Sequence, residues 1–392
     1  MKRLLLASAV SALAAGGAFA DEIKIGVLLG FTGPIEGLTP HMADGAELAM
    51  AEVSASGALL GGTTVTPVRA DSGCVDAALA QASADRLITS DRVVAIMGAD
   101  CSGVTRAVLE NVAMANGIPM ISPSATSPGF TTFDSGGLFY RTAPSDARQG
   151  QLLAEIVSGR GITTVAVTHT NNDYGAGLAN AFVENFRALG GTVTTVIPHE
   201  EAKGDYSAEV ASLQAAGGDA LMVLGYVDGG SNVIRTAFEL GAFEQFFVGD
   251  GVFTEDMPNL VGTDAAAAII GTVPSPVGDA AAAWEACGTA GGINWSSSFV
   301  AEAYDAAALL TAQAAGEATP AGIAANILRV ANGPGERIQA CEIARGLEIL
   351  AGGGEIDYVG ATNVNLIGPG EAAGTYREYT FVGGAVSTIA FH

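Results

Sequence analysis

The sequence predicts an α/β fold of two doubly wound, parallel-sheet lobes joined by a hinge that the chain crosses several times. Three observations carry this expectation. From Asp21 onward, short β-rich runs alternate with amphipathic helical stretches, the pattern of βαβ units. After Phe139–Pro144 the alternation starts again. With 392 residues and roughly 150 residues per domain, the chain has material for two domains with ample cores.

In order along the chain, Ile23–Leu29 reads as a strand, followed by a Gly-rich loop and a helix from about Pro40. Thr39 is placed to cap that helix and Pro40 to occupy its first position. Met42, Ala46, Met50 and Val53 recur at helical spacing, with Asp44 and Glu47 in the early turns. Val65–Ala70, Val93–Gly98 and Ile118–Ser122 are further strands, each followed by a helical segment. In the second unit Thr163–Thr168 is a strand, and Leu178, Phe182, Phe186 and Leu189 form a helical stripe ended by Gly190 and Gly191. Thr192–Ile197, Ala220–Leu224 and Phe246–Gly249 continue the second sheet, with helices at Ser207–Ala216 and Gly230–Leu240. The Ala-rich remainder contains helices at about Ser296–Ala315, Pro320–Ala331 and Cys341–Ala351 that must pack back on the sheets. The lobes are therefore expected at residues 21–142 with 273–373, and 143–272 with 374–392.

The N-terminus has its own signature. Lys2-Arg3, an apolar stretch from Leu4 to Gly16 and Ala18-Phe19-Ala20 before Asp21 make a secretory signal peptide over residues 1–20, cleaved after Ala20. No later stretch reaches 18 apolar residues without a charge, and no Cys follows the apolar region, so direct membrane anchoring is not expected. The protein has 17 Lys+Arg against 41 Asp+Glu and a net charge of −24. That balance argues against nucleic acid or an anionic membrane as partner, since both require a basic face. An apolar content of 49% excludes disorder. In an oxidising compartment, the four Cys read as two disulfides. Three pairings are open; Cys74–Cys101 with Cys287–Cys341 is the most local, and its loops would contribute roughly 3–4 kcal/mol each. No metal or cofactor is expected: there is no C-x-x-C, and the four His are scattered.

Ligands of parallel sheets bind beyond the C-terminal strand ends, near helix N-termini. Several loops there carry chemistry. In Gly98-Ala99-Asp100-Cys101-Ser102-Gly103, Ser102 is a candidate N-cap beside free amide groups suited to a carboxylate. Ser122-Pro123-Ser124-Ala125-Thr126-Ser127-Pro128 is a hydroxyl-rich turn. Asn171-Asn172-Asp173-Tyr174-Gly175 sets an aromatic ring at a helix start. Gly225-Tyr226 and Gly249-Asp250-Gly251 follow apolar strands, and Asp250 is a carboxylate suited to an ammonium group. Taken alone, each has a plain reading as a cap or turn. Jointly, hydroxyls and amides on one lobe face an acid and aromatics on the other, which matches a small zwitterion across a cleft. Enzyme signatures are absent: no G-x-G-x-x-G, Walker A, G-x-S-x-G or H-E-x-x-H occurs.

The chain resembles the periplasmic solute-binding proteins of branched-chain amino-acid ABC importers, the leucine/isoleucine/valine-binding family. The resemblance rests on Ile23-Lys24-Ile25-Gly26, Thr32-Gly33-Pro34, Asp44-Gly45-Ala46, Cys74, Cys101-Ser102, Ile121–Thr126, Asp173-Tyr174-Gly175, Gly225-Tyr226 and Gly249-Asp250-Gly251, and it fades after about residue 280. It implies a type I periplasmic binding protein that closes on its ligand, with a Cys74–Cys101 disulfide beside the site and an ABC permease as membrane partner. It further implies that Ser102, the Ser124 backbone and Thr126 hold a carboxylate, that Asp250 and Tyr226 hold the ammonium, and that Tyr174 closes over the ligand. Phe31 and Leu38 are weaker candidates for the pocket wall. The sequence departs from the family pattern where Leu38 replaces an aromatic ring and Asp250 a longer Glu, and Glu36 adds a charge near the mouth. Amino-acid capture in the periplasm is thus the leading reading. The alternatives are the same fold with a short amide or aromatic carboxylate, and an exported α/β enzyme.

Overall fold

The computed structural model describes residues 21–312, 316–368 and 370–392; the expected signal peptide lies outside them. The first sheet has the order β2-β1-β3-β4-β5, with β1 Glu22–Leu29, β2 Thr64–Asp71, β3 Ala95–Gly98, β4 Met120–Ser122 and β5 Phe139–Arg141, all parallel. Its central strands are buried on both faces, as helices on either side require, and so read as continuous apolar runs. The strand order reverses between β1 and β3, so the loops leaving these two strands diverge and open a crevice.

The second sheet has the order β16-β15-β10-β9-β8-β6-β7. Strands β6 Thr164–Thr170, β7 Thr192–His199, β8 Ala220–Leu224, β9 Phe246–Val248 and β10 Ile269–Pro274 are parallel, with the reversal between β6 and β8. Strands β15 Tyr376–Val382 and β16 Ala385–Phe391 add an antiparallel edge, which the reading of a purely parallel sheet missed. A hairpin pattern was available there, with Gly383-Gly384 between alternating apolar residues.

Between the sheets' last parallel strand and β15, the chain packs back on the first sheet. Helices at Gly278–Gly291, Val300–Ala312, Pro320–Ala331 and Ile343–Ala351 are interspersed with β11 Glu336–Gln339 paired to β12 Ile356–Gly360 and β13 Asn365–Gly368 paired to β14 Glu371–Ala373. Trp284, Val300, Leu309, Ile327 and Tyr358 join Ile25, Val27, Ala46 and Met50 in one core. The helix Thr39–Ser56 lies so close to Val300–Ala312 that a Cβ on Gly45 would sit 2.6 Å from the Val300 carbonyl oxygen. Both disulfides are formed, Cys74–Cys101 and Cys287–Cys341. The second pins the Gly278–Gly291 helix to the segment before Ile343–Ala351.

Three local expectations are corrected. Thr39 does not cap its helix: Leu38 occupies the cap without a side-chain bond, and the Thr39 hydroxyl donates to the Gly30 carbonyl at 2.9 Å. That bond ties the helix to the β1 loop instead. Leu189 is half exposed because the helix Asp173–Ala188 stops before it, leaving Leu178, Phe182 and Phe186 as the buried stripe. Val93–Val94 and Ile118–Pro119 lead into β3 and β4 rather than belonging to them.

Candidate functional site

The loops leaving β1 and β3 are joined by Asp100, which is fully buried. Its carboxylate accepts from the Gly30 amide at 2.6 Å and the Ser72 hydroxyl at 2.8 Å. Burial pushes its pKa up, and those hydrogen bonds oppose the shift. With the Cys74–Cys101 bond, Asp100 fixes the start of the Ser102–Val108 helix, which runs on through a π-turn at Leu109–Ala113. Ser102 is not the N-cap. Cys101 takes that place without a side-chain bond, and the Ser102 hydroxyl instead accepts from the Ser127 amide at 3.1 Å. The first-turn amides thus carry no side-chain cap.

The hydroxyl-rich turn is set from below by Arg141. This guanidinium is fully buried and donates to the Ala125 and Ser127 carbonyls at 3.0 and 2.8 Å. From within the turn, the Ser122 hydroxyl accepts from the Ala125 amide at 2.9 Å. The Thr126 carbonyl accepts from the Asp146 amide at 2.9 Å, where the chain passes to the second sheet.

The second sheet supplies the facing wall. Asn172 caps the Asp173–Ala188 helix by accepting from the Gly175 amide, which places Tyr174 in the first turn. The Tyr174 hydroxyl donates to Asp250 Oδ1 at 2.6 Å, and the Gly251 amide donates to the same oxygen at 2.8 Å. The Tyr174 and Tyr226 rings stack with centroids 5.2 Å apart. Gly251 must be glycine here, since a Cβ would lie 2.5 Å from the Gly225 carbonyl and 2.8 Å from the Tyr174 hydroxyl.

These walls meet. Ile35, Leu38, Met42, Asp100, Cys101, Ser102, Ser124, Thr126, Tyr174, Tyr226, Asp250, Gly251 and Phe299 surround one narrow cavity of about 30 Å³. The structure therefore brings together Ser102, Ser124, Thr126, Tyr174, Tyr226, Asp250 and Leu38. It does not bring Phe31: that ring lies under the Arg69 guanidinium at 5.6 Å, packed on the first lobe's core. Asp250 Oδ2 and the Tyr226 hydroxyl are buried and make no hydrogen bond among the described residues. Burial raises Asp250 to a pKa of about 6 against the opposing bonds from Tyr174 and Gly251. Asp146, also buried, is raised well above the usual carboxylate range by burial and then by the charge of Asp250. The site is an apolar slot with an uncapped helix start on one side and an acid wanting a donor on the other.

The sequence profile of the periplasmic binding protein family matches residues 22–331. The chain belongs to the periplasmic binding protein family. Among relatives of this periplasmic binding protein, the Leu/Ile/Val-binding protein of Citrobacter freundii is 29% identical over 264 residues, which is 67% of this chain and 71% of that one. Among solved structures, a leucine-binding protein from Thermotoga maritima superposes with a TM-score of 0.78 at 24% identity, covering 94% of this chain and 98% of its own. A solute-binding protein of an ABC transporter from R. palustris, in complex with 4-hydroxybenzoate, has a TM-score of 0.73 at 18% identity over 95% and 97% of the two chains. Both superpositions establish the two-lobed fold.

Sequence reasoning missed several residues of this binding protein's cavity. Met42 reads as an ordinary core stripe, and Ile35 sits in a Pro/Gly loop with no periodicity. Phe299 lies in the Ser-rich run before the Val300–Ala312 helix, where no motif marks it. Asp100 was within reach, since it stands inside a motif already singled out.

Proposed function

We propose that this protein is the periplasmic receptor of an ABC importer, capturing an amino acid or close analogue between its lobes and delivering it to a membrane permease. The observation that carries the reading is Asp250: a buried carboxylate with one oxygen unpartnered, across a narrow cavity from a helix start without a side-chain cap. A buried acid is costly unless a cation or strong donor pairs with it. An α-ammonium group supplies that donor, and the carboxylate of the same molecule suits the amides at Ser102–Val104 with the hydroxyls of Ser102 and Thr126 and the backbone at Ser124. Tyr226 offers its free hydroxyl to the ammonium, and Tyr174 closes over it. Leu38, Ile35, Met42 and Phe299 receive the side chain. The relatives' names, which refer to leucine, isoleucine and valine, support an amino-acid ligand.

Mechanistically, a ligand that bridges both lobes gains its second set of contacts only in the closed form, so binding shifts the population toward closure. In this reading residues 21–142 with 273–373 form one lobe and 143–272 with 374–392 the other; β10 itself runs to Pro274. The signal peptide at 1–20 would place the mature protein in the periplasm, where the two disulfides are stable. Among the described residues no helix is long and apolar enough to cross a membrane.

The test is calorimetry with a panel of free amino acids on Asp250→Ala. Truncating one partner of a buried ion pair costs about 3–5 kcal/mol, a loss of roughly 100-fold or more in affinity. Unchanged affinity in a folded variant would remove Asp250 from the site. An aromatic carboxylate or a short amide that binds while no free amino acid does would replace the amino-acid reading, since such ligands bring no ammonium for Asp250.

A further inference from the structure

A second chamber, of about 210 Å³, adjoins the cavity at the hinge. Phe299 is common to the walls of both. It is held at φ 61°, a left-handed conformation that a bulky side chain rarely adopts. Beyond it the chamber is lined by Trp284 and Trp295, whose positions are fixed by the Trp284 indole donating to the Trp295 carbonyl at 3.0 Å. Three polar groups line the same space. Glu302 is 4% exposed, and among the described residues no other residue hydrogen-bonds its carboxylate. Ser298 Oγ and Arg377 Nε are buried and likewise unpartnered. A core built only for packing would not leave a hydroxyl and a guanidinium nitrogen unpaired beside a buried acid, because each unpaired group costs about 1–3 kcal/mol.

Resting on the amino-acid reading above, we propose that the side-chain subsite continues past the Phe299 ring into this chamber, and that the solute is an amino acid with a long side chain ending in a hydrogen-bond donor received by Glu302. An amine, a guanidinium or a carboxamide has that chemistry. Only the carboxamide also offers an oxygen to Arg377 Nε and Ser298.

The experiment is calorimetry on the full-length mature protein with alanine, leucine, methionine, glutamine, lysine and arginine, repeated on Glu302→Gln. The expected result is that at least one of glutamine, lysine and arginine binds tenfold or more tighter than methionine, a chain of similar length without a donor tip. Tighter binding of glutamine than of the cationic pair assigns the tip as a carboxamide, and the reverse assigns it as a cation. In Glu302→Gln the ratio of that ligand's affinity to alanine's should fall at least tenfold. Leucine or methionine binding as tightly as the donor-tipped ligands overturns the proposal while leaving amino-acid capture intact. Failure of every amino acid overturns both. The wild-type panel decides the matter even where the variant does not fold.

Discussion

Asp250 carries more than one consequence. With a pKa of about 6 set by burial, it is partly protonated in mildly acid solution when the cavity holds no cation. An ammonium ligand stabilises the ionised form, so binding near pH 6 should release a proton, and affinity should fall as the pH drops below that value. Calorimetry at pH 6 in two buffers of different ionisation enthalpy measures the proton directly. Equal heats in both buffers would mean that the ligand's cation does not meet Asp250. The Tyr174 hydroxyl and the Gly251 amide both bond Oδ1, which holds the carboxylate in place and leaves Oδ2 for the ligand.

Among the elements, the close pairing of helices Thr39–Ser56 and Val300–Ala312 sets the mouth of the cavity, because Leu38, Met42 and Phe299 stand at their beginnings. Gly45 permits that approach. Gly45→Ala should cost about 1–3 kcal/mol through overpacking, despite the better helix propensity of alanine, and lower the denaturant midpoint. A stabilised variant would show that the helices can part freely. The individual βα units were legible in the sequence: β8, the helix Ser207–Ala216 and the helix Pro320–Ala331 have the bounds their apolar spacing and Pro/Gly limits mark. Cavity residues on turns tied by hydrogen bonds were legible less directly. Ser102 looks like a cap because Ser before an apolar helix usually caps, and only the Ser127 amide, 25 residues away, explains why its hydroxyl is used otherwise. Phe31 looks like a pocket wall by its place after β1, but Arg69 on β2 offers its ring a cation–π contact outside the cavity.

Taken as a whole, the molecule buries several acids whose folded-state pKa values are raised: Asp250 and Asp305 to about 6 and Glu302 to about 8. Such groups hold protons in the folded state that the unfolded chain releases, so ligand-free stability should decline as pH rises from about 4 to about 8. His199, kept neutral down to about 4 by burial, acts oppositely below its ordinary value of 6.5. The decline is therefore cleanest between pH 6.5 and 8.5, where Glu302 ionises. Urea midpoints of the ligand-free protein across that range should fall; a rise would mean that Glu302 has a cationic partner. An ammonium ligand should narrow the difference by stabilising the charged form of Asp250.

The return of the chain to the first sheet after Pro274 bears on how the polypeptide must be made. A nascent chain halted at residue 275 would already contain all five strands of the first sheet, yet the helices that cover Ile25, Val27 and Met50 would not exist. Its second sheet would show β10 as a raw edge, because β15 pairs with it only from residue 376 onward. Neither half can reach its native form from the first 275 residues alone, and half-length products of this chain are expected to be sticky rather than folded. Separate production of one half is better attempted by joining residues 21–142 directly to 275–375 than by cutting the chain in two.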